Sequence, residues 1–329
     1  MSALAPTLEA FFTERLMRQK RASRHTIAAY RDGFRLLLAF AQERSGKAPS
    51  RLEFDDLDAP VIGAFLDHLE HARGNSAQSR NARLAAIHSL FRFAALRHPE
   101  HAALIARVLA IPSKRFDRTV VSFLNRAETE ALLAAPARDR WTGRRDHALL
   151  AVAIQTGLRV SELCGLRGQD AQLGTGANLR CHGKGRRERC TPLTPQTAKV
   201  LGVWMHERAG QPDDPLFPTS RGRTLSRDAI ALLLFKYTTI AAEHCPTLRA
   251  KTVSPHTLRH TCAMNLLQSG VDPTVIALWL GHANLRSVES YIHADMGLKE
   301  RALARTKPTE SPPGRYRPPD RLIGFLEAL

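Results

Sequence analysis

Cysteine is scarce in the 329-residue chain: Cys164, Cys181, Cys190, Cys245 and Cys262 are the five, and no two form a CxxC pair. An odd number without ligand spacing argues against a disulfide framework or a structural zinc site and predicts a reduced, cytoplasmic setting. Cys181 and Cys190 flank a predicted hairpin and could face each other across it, so a redox or metal pair stays open there. No apolar run approaches the ~18 residues of a membrane span, so no membrane partner is expected. The opening MSALAPTLEAFF lacks the basic, apolar and small-residue order of a secretion signal. Acidic residues are also few: 31 Asp and Glu stand against 48 Lys and Arg, a formal charge of +17 spread over the whole chain. Dispersed positive charge predicts a polyanion partner over a single acidic peptide, although arginine enrichment in a GC-rich genome would leave the same balance.

What is present is enough for two cores. A hydrophobic content of 43% excludes wholesale disorder, and the length suits two domains. Residues 1–111 read as a helical domain. Ser23 or Thr26 caps a helix carrying Ile27, Tyr30, Phe34, Leu37, Leu38 and Phe40; Asp56 or Asp58 starts a second with Val61, Ile62, Phe65, Leu66 and Leu69. A third helix runs from about Ser76 to Leu96, with Leu84, Ile87, Leu90, Phe91 and Phe93 behind Ser76, Gln78, Ser79, Arg80, Asn81 and Arg83. A helix N-terminus with arginines and short polar side chains suits phosphate contacts, so Arg80, Asn81 and Arg83 are candidate DNA-binding residues; a solvated face is the plain alternative.

Residues 112–118, with a proline, Lys114 and Arg115 and no periodicity, read as an interdomain linker able to lie along a nucleic-acid backbone. The second domain spans 119–306. Asn125 and Glu128 form a predicted capping box, Arg145 to Gln155 a buried apolar helix, and ANLRCHGKGRRERCTPLT a β-hairpin around Gly183, Lys184 and Gly185. Residues 307–329 are a proline-rich tail and a short apolar helix bearing Leu322, Ile323, Phe325, Leu326 and Leu329, too small to be stable undocked.

Chemistry concentrates in three places. In TGLRVSELCGL, Thr156-Gly157 precedes Arg159 at a helix start, with Leu158, Leu163 and Leu166 as anchors; a guanidinium fixed there offers bidentate donation to phosphate. Glu162 reads as its structural neighbour. Lys184 sits at the hairpin tip, where a plain surface cation is the competing reading. His256 and Arg259 in HTLRH are three residues apart, about 60° around a helix axis, and both could face one phosphate. Gly270 ends that helix, Asp272-Pro273 starts the next, and Gly281 stops it before His282, with Tyr291 one short turn beyond. His260 lies one turn from His256, but no glutamate follows His256 as a zinc-protease motif needs, so His260 reads as a packed, hydrogen-bonded histidine.

TGLRVSELCGL, the GKG hairpin and the order HTLRH, LGH, Tyr resemble the tyrosine recombinases, the lambda-integrase and Xer-like family, over essentially the whole chain. The resemblance implies a mainly α protein with a small β-sheet or hairpin: a two-domain clamp of a helical core-binding domain and a mixed α+β catalytic domain. It implies Arg159, Lys184, His256, Arg259 and His282 as activating residues and Tyr291 as nucleophile, double-stranded DNA as partner, a tetramer of this chain or related recombinases on synapsed DNA, and a covalent 3′-phosphotyrosine. Arg159 and Arg259 would clamp the phosphate, Lys184 would protonate the 5′ oxygen, and His256 would assist proton movement at Tyr291. Bond energy kept in that linkage removes the need for ATP, a metal or another cofactor. A type IB topoisomerase and a DNA-binding factor without catalysis are the alternatives.

Overall fold

Ser23, not Thr26, opens the first long helix: its hydroxyl accepts from the Thr26 N–H at 3.1 Å. The computed structural model describes residues 4–116, 121–183, 188–281 and 291, and the chain divides into two units, Met1–Arg118 and Thr119–Leu329. In the first unit, α1 (Leu4–Ala10) runs into a π-helical stretch, Phe11–Gln19, followed by α2 (Arg24–Ser45), α3 (Ala59–His71), α4 (Ala77–Ala95) and α5 (Ala102–Leu109). Asp58 caps α3 by accepting from the Val61 N–H at 2.9 Å, while Asp56 accepts from the Glu53 N–H one turn earlier and pairs with Lys47. Ser76 caps α4. The apolar stripes expected on these helices meet in one core in which Phe11, Phe54, Phe65 and Phe91 are essentially inaccessible. Each such side chain contributes roughly 1.5–3 kcal/mol by leaving water.

The second unit begins with α6 (Arg126–Ala134), where the predicted capping box closes: the Glu128 N–H donates to Asn125 and the Asn125 N–H to Glu128, at 2.9 and 2.8 Å. The buried helix α7 (Trp141–Thr156) places Ala148, Leu149, Leu150 and Val152 in the core. Its buried Asp146 is satisfied by the Arg145 guanidinium and the Tyr237 hydroxyl. Next come α8 (Val160–Gly165) and a three-stranded antiparallel sheet of β1 (Ala171–Gln172), β2 (Asn178–His182) and β3 (Glu188–Pro192), in that order. The sheet has one short strand more than the hairpin alone. Cys181 pairs with Arg189 and Arg180 with Cys190. The cysteines are therefore offset by one register position and lie on opposite faces, Cys181 buried and Cys190 exposed, which removes the facing pair left open above. All five cysteines are free thiols.

Four further helices follow among the described residues: α9 (Pro195–Arg208), α10 (Arg227–His244), α11 (Pro255–Gln268) and α12 (Pro273–Leu280). The stops and starts around α11 and α12 follow the sequence signals. Gly270 takes φ +83°, Asp272 caps α12 through the Thr274 N–H, and Gly281 ends it in the left-handed region. The architecture is mainly α with one small sheet, as expected. No helix among the described residues is long and apolar enough to cross a membrane. The tail expected at 307–329 lies outside the described residues.

Candidate active site

Two glycines let distant backbone segments meet at one point. Gly157 ends α7 with φ +63°, and a Cβ there would fall 2.6 Å from Leu280 Cδ2 and 3.0 Å from Cys262 Cβ. Gly281 ends α12 with φ +62°, and its Cβ would fall 2.7 Å from Arg189 Nη1. The left-handed geometry and this crowding together demand glycine. The ends of α7 and α12 are thereby brought against α11 and β3, and their carbonyls turn toward arginine side chains.

Arg259, on the inner face of α11, donates to Gly157 O at 2.7 Å and to Leu280 O at 2.6 Å. It is 4% exposed, and among the described residues no carboxylate lies at ion-pair distance from it. Burial, then the charge of Arg159, pull its pKa down to about 10, so it still carries its charge at neutral pH. Arg159 occupies the cap position of α8 and donates to Gly281 O at 2.9 Å and to Glu162 at 3.0 Å. Glu162 is the neighbour expected for Arg159, and it also accepts two bonds from Arg189, at 3.0 and 2.8 Å. Burial alone would raise the Glu162 carboxyl, but the Arg189 bonds and the Arg159 N–H outweigh it and hold the acid below its ordinary value. The Arg159 and Arg189 guanidiniums thus share one carboxylate, while Arg259 is held by neutral carbonyl dipoles, leaving an excess of positive charge. Such an arrangement is costly without an anion and suited to binding one.

Tyr291 lies in the same unit, 2% exposed and packed with Cys262, Met264 and Leu280. Burial raises its phenol, against the opposing charge of Arg259. The ring that meets its hydroxyl belongs to His260, whose Nδ1 is 3.0 Å away with the rings edge to face at 5.5 Å. The position in direct contact with the Tyr291 hydroxyl is thus occupied by the histidine one turn after His256. His256 is exposed, with its ring 6.3 Å from that of His260. Lys184 and His282 lie outside the described residues.

Among the candidate DNA-binding residues of the first unit, Arg80 is turned inward. It is 9% exposed, turned toward Glu70 at 3.7 Å, and donates to Asn81 and to Pro112 O. Asn81 clasps the connecting segment, donating to Lys114 O at 2.7 Å and accepting from the Lys114 N–H at 3.0 Å. Lys114 pairs with Glu70 at 2.9 Å, and Arg83 donates to Ala29 O across Gly33. The first turn of α4 anchors the following chain, and Glu70, near the end of α3, is the partner that draws Arg80 inward. Arg115 is exposed.

Sequence reasoning passed over Arg189, and it read His260 as a packed, hydrogen-bonded histidine without naming Tyr291 as its partner. The alternation of β3 carries the signal for the first: Arg189 shares the face of buried Thr191, opposite buried Cys181. For the second, the four-residue spacing from His256 placed both rings on one face of α11. Among the described residues, no three His, Cys, Asp or Glu side chains gather as a metal site would require.

Residues 122–297 match the phage integrase family and residues 10–98 the phage integrase N-terminal SAM-like domain. The chain is 55% identical over 328 residues to integrase/recombinase y4rC of Sinorhizobium fredii, covering 100% of this chain and 99% of that protein. It is 33% identical over 298 residues to tyrosine recombinase XerC of Pelobacter propionicus, 90% of this chain and 93% of the relative. Among solved structures, XerH site-specific recombinase in a pre-cleavage complex with difH substrate superposes with a TM-score of 0.65 at 21% identity, covering 89% of this chain and 83% of that one.

Proposed function

The chain belongs to the phage integrase family, the tyrosine recombinases, and on that footing we propose that this site cleaves and rejoins double-stranded DNA at specific sequences through Tyr291. The observation that carries the reading is Arg259: a buried guanidinium charge held by two carbonyl oxygens and lying beside Arg159, a concentration of positive charge suited to an anion. A scissile phosphodiester supplies that anion. Arg159 and Arg259 receive its non-bridging oxygens, with the exposed His256 as a further donor and His282 completing the set. Fixed donors of this kind stabilise charge that develops as phosphorus is attacked. Tyr291 attacks in line and forms a 3′-phosphotyrosine; Lys184 gives a proton to the departing 5′ oxygen, and that hydroxyl later attacks the linkage to release the enzyme. The chain acts in the cytoplasm without a cofactor, as a tetramer on synapsed sites.

In the first unit, Arg83, Asn81, Lys114 and Arg115 line the DNA backbone, while Arg80 acts behind them by holding Glu70 and the connecting segment. The deciding experiment incubates the protein, in EDTA, with labelled duplexes tiling the DNA on either side of its gene and resolves the mixture on a denaturing gel. Wild type is expected to give a protein–DNA adduct on a subset of duplexes, and Tyr291→Phe to bind the same duplexes without one. An adduct surviving in Tyr291→Phe removes Tyr291 from the chemistry.

A further inference from the structure

The ring in contact with the Tyr291 hydroxyl is outside the set assigned above. Resting on the recombinase reading, we propose that His260 is a catalytic residue: its Nδ1 takes the Tyr291 proton as the hydroxyl attacks phosphorus and returns it when the phosphotyrosine is resolved. The contact is 3.0 Å, within the reach a general base needs. The geometry also fixes the partner. His260 sits on α11 between Arg259 and Thr261, both buried, so its backbone moves only with the arginine that holds the phosphate. Tyr291 is 2% exposed, which limits competition from bulk water for its proton. His256 is exposed and touches this arrangement through the His260 ring.

The charges around the pair keep it in the right resting state. Burial, then the His256 and Arg259 charges on the same helix, hold His260 below the ordinary histidine value. Burial holds Tyr291 above its own ordinary value, with Cys262 acting in the same direction and Arg259 and Arg159 against it. At neutral pH the imidazole is therefore unprotonated and the phenol protonated. Acceptance at Nδ1 requires the tautomer with hydrogen on Nε2. Transfer is uphill in the resting enzyme and turns downhill only as the new oxygen–phosphorus bond drains charge from the phenolic oxygen. A free tyrosinate is thus avoided until a phosphate is in place. In cleavage the Tyr291 oxygen–phosphorus bond forms, the bond to the 5′ oxygen breaks, the phenolic proton moves to His260 and the 5′ oxygen receives one from Lys184. Nothing is oxidised or reduced, and resolution reverses both transfers.

The test measures adduct formation from about pH 5 to 9 on the duplex that wild type cleaves, using wild type, His260→Asn and His260→Ala. Asparagine places an amide near the Nδ1 position, keeping a hydrogen-bond partner for Tyr291 without a titratable base. Wild type is expected to lose rate in acid, at a pH below the ordinary histidine range, as His260 protonates. Both variants should lose that limb and fall about 100- to 10,000-fold, with added imidazole restoring part of the His260→Ala rate. On DNA with sulfur in place of the bridging 5′ oxygen, which leaves without an acid, the Lys184→Ala defect should vanish and the His260→Asn defect persist. A His260→Asn enzyme with wild-type rate and the same acid limb overturns the proposal while leaving the recombinase reading intact. A wild-type chain that forms no Tyr291-dependent adduct on any duplex overturns the recombinase reading and this proposal with it.

Discussion

Replacing Glu162 with glutamine tests whether one carboxylate holds the arginine cluster together. Four bonds end on Glu162: two from Arg159, through its N–H and Nη1, and two from Arg189. Glutamine keeps one acceptor oxygen and turns an NH₂ toward a guanidinium, so about half of these bonds are lost and both arginines lose their counter-charge. Breaking a buried ion pair costs about 3–5 kcal/mol. The Arg159 side chain is 30% exposed and that of Arg189 14%, so solvent screens part of the loss. An overall cost of about 3 kcal/mol follows, and at roughly 2–4 °C per kcal/mol for a unit of this size the melting temperature should fall by about 6–12 °C.

Scanning calorimetry at neutral pH measures this drop, and repeating it in acid tests its cause. The Glu162 carboxyl is held below the ordinary carboxylate value in the folded protein. Its stabilisation is therefore complete above that unfolded value and is lost as pH falls through the lower folded one. The gap between wild type and Glu162→Gln should close over that acid range. A drop below about 1 kcal/mol at neutral pH, or a gap that persists unchanged in acid, would refute the argument that this carboxylate carries the cluster.

Gly157→Ala should lower stability by about 2–5 kcal/mol, read from urea unfolding. The left-handed backbone costs roughly 1–2 kcal/mol, and the crowding against Leu280 and Cys262 about 1–3 more. Arg259→Lys keeps a charge but cannot bridge Gly157 O and Leu280 O, so adduct formation should fall at least ~100-fold with little change in DNA affinity; an unaltered rate would dismiss the carbonyl cradle. Asn81→Ala removes both bonds to Lys114, so trypsin should cut after Lys114 or Arg115 faster than in wild type at equal stability. Equal cutting rates would show that Asn81 does not hold this segment.

Helix boundaries were legible wherever a side chain sets them. Ser23, Asp58, Ser76, Asn125 and Asp272 all cap the helices their positions announce, because a short oxygen-bearing side chain before an apolar periodic run has few other uses. Arg159, Arg259 and Tyr291 were legible from spacing and resemblance, and the structure brings their elements together. The supports behind them were not. Gly157 O, Leu280 O and Gly281 O are main-chain acceptors, and every residue carries one, so no residue type marks them. Arg189 was hidden among the basic residues of the hairpin, where only strand register separates an inward arginine from outward ones. The burial of Arg80 was not legible because its partner Glu70 lies on another helix, and the first turn of α4 looks equally polar whether it faces solvent or the connecting segment.

The main-chain cradle under Arg259 gives this site an uneven tolerance to genetic change. A point substitution at Leu280 replaces the side chain and leaves the acceptor oxygen, so that position can drift among residues that fill the same space. Insertion or deletion of one residue beside Gly157 or Leu280 shifts the chain by about 3.8 Å, longer than either bond it carries. Length polymorphism at these two helix ends should therefore be purged from functional descendants of this gene, while Leu280 varies among residues that fill its space and Gly157 stays glycine.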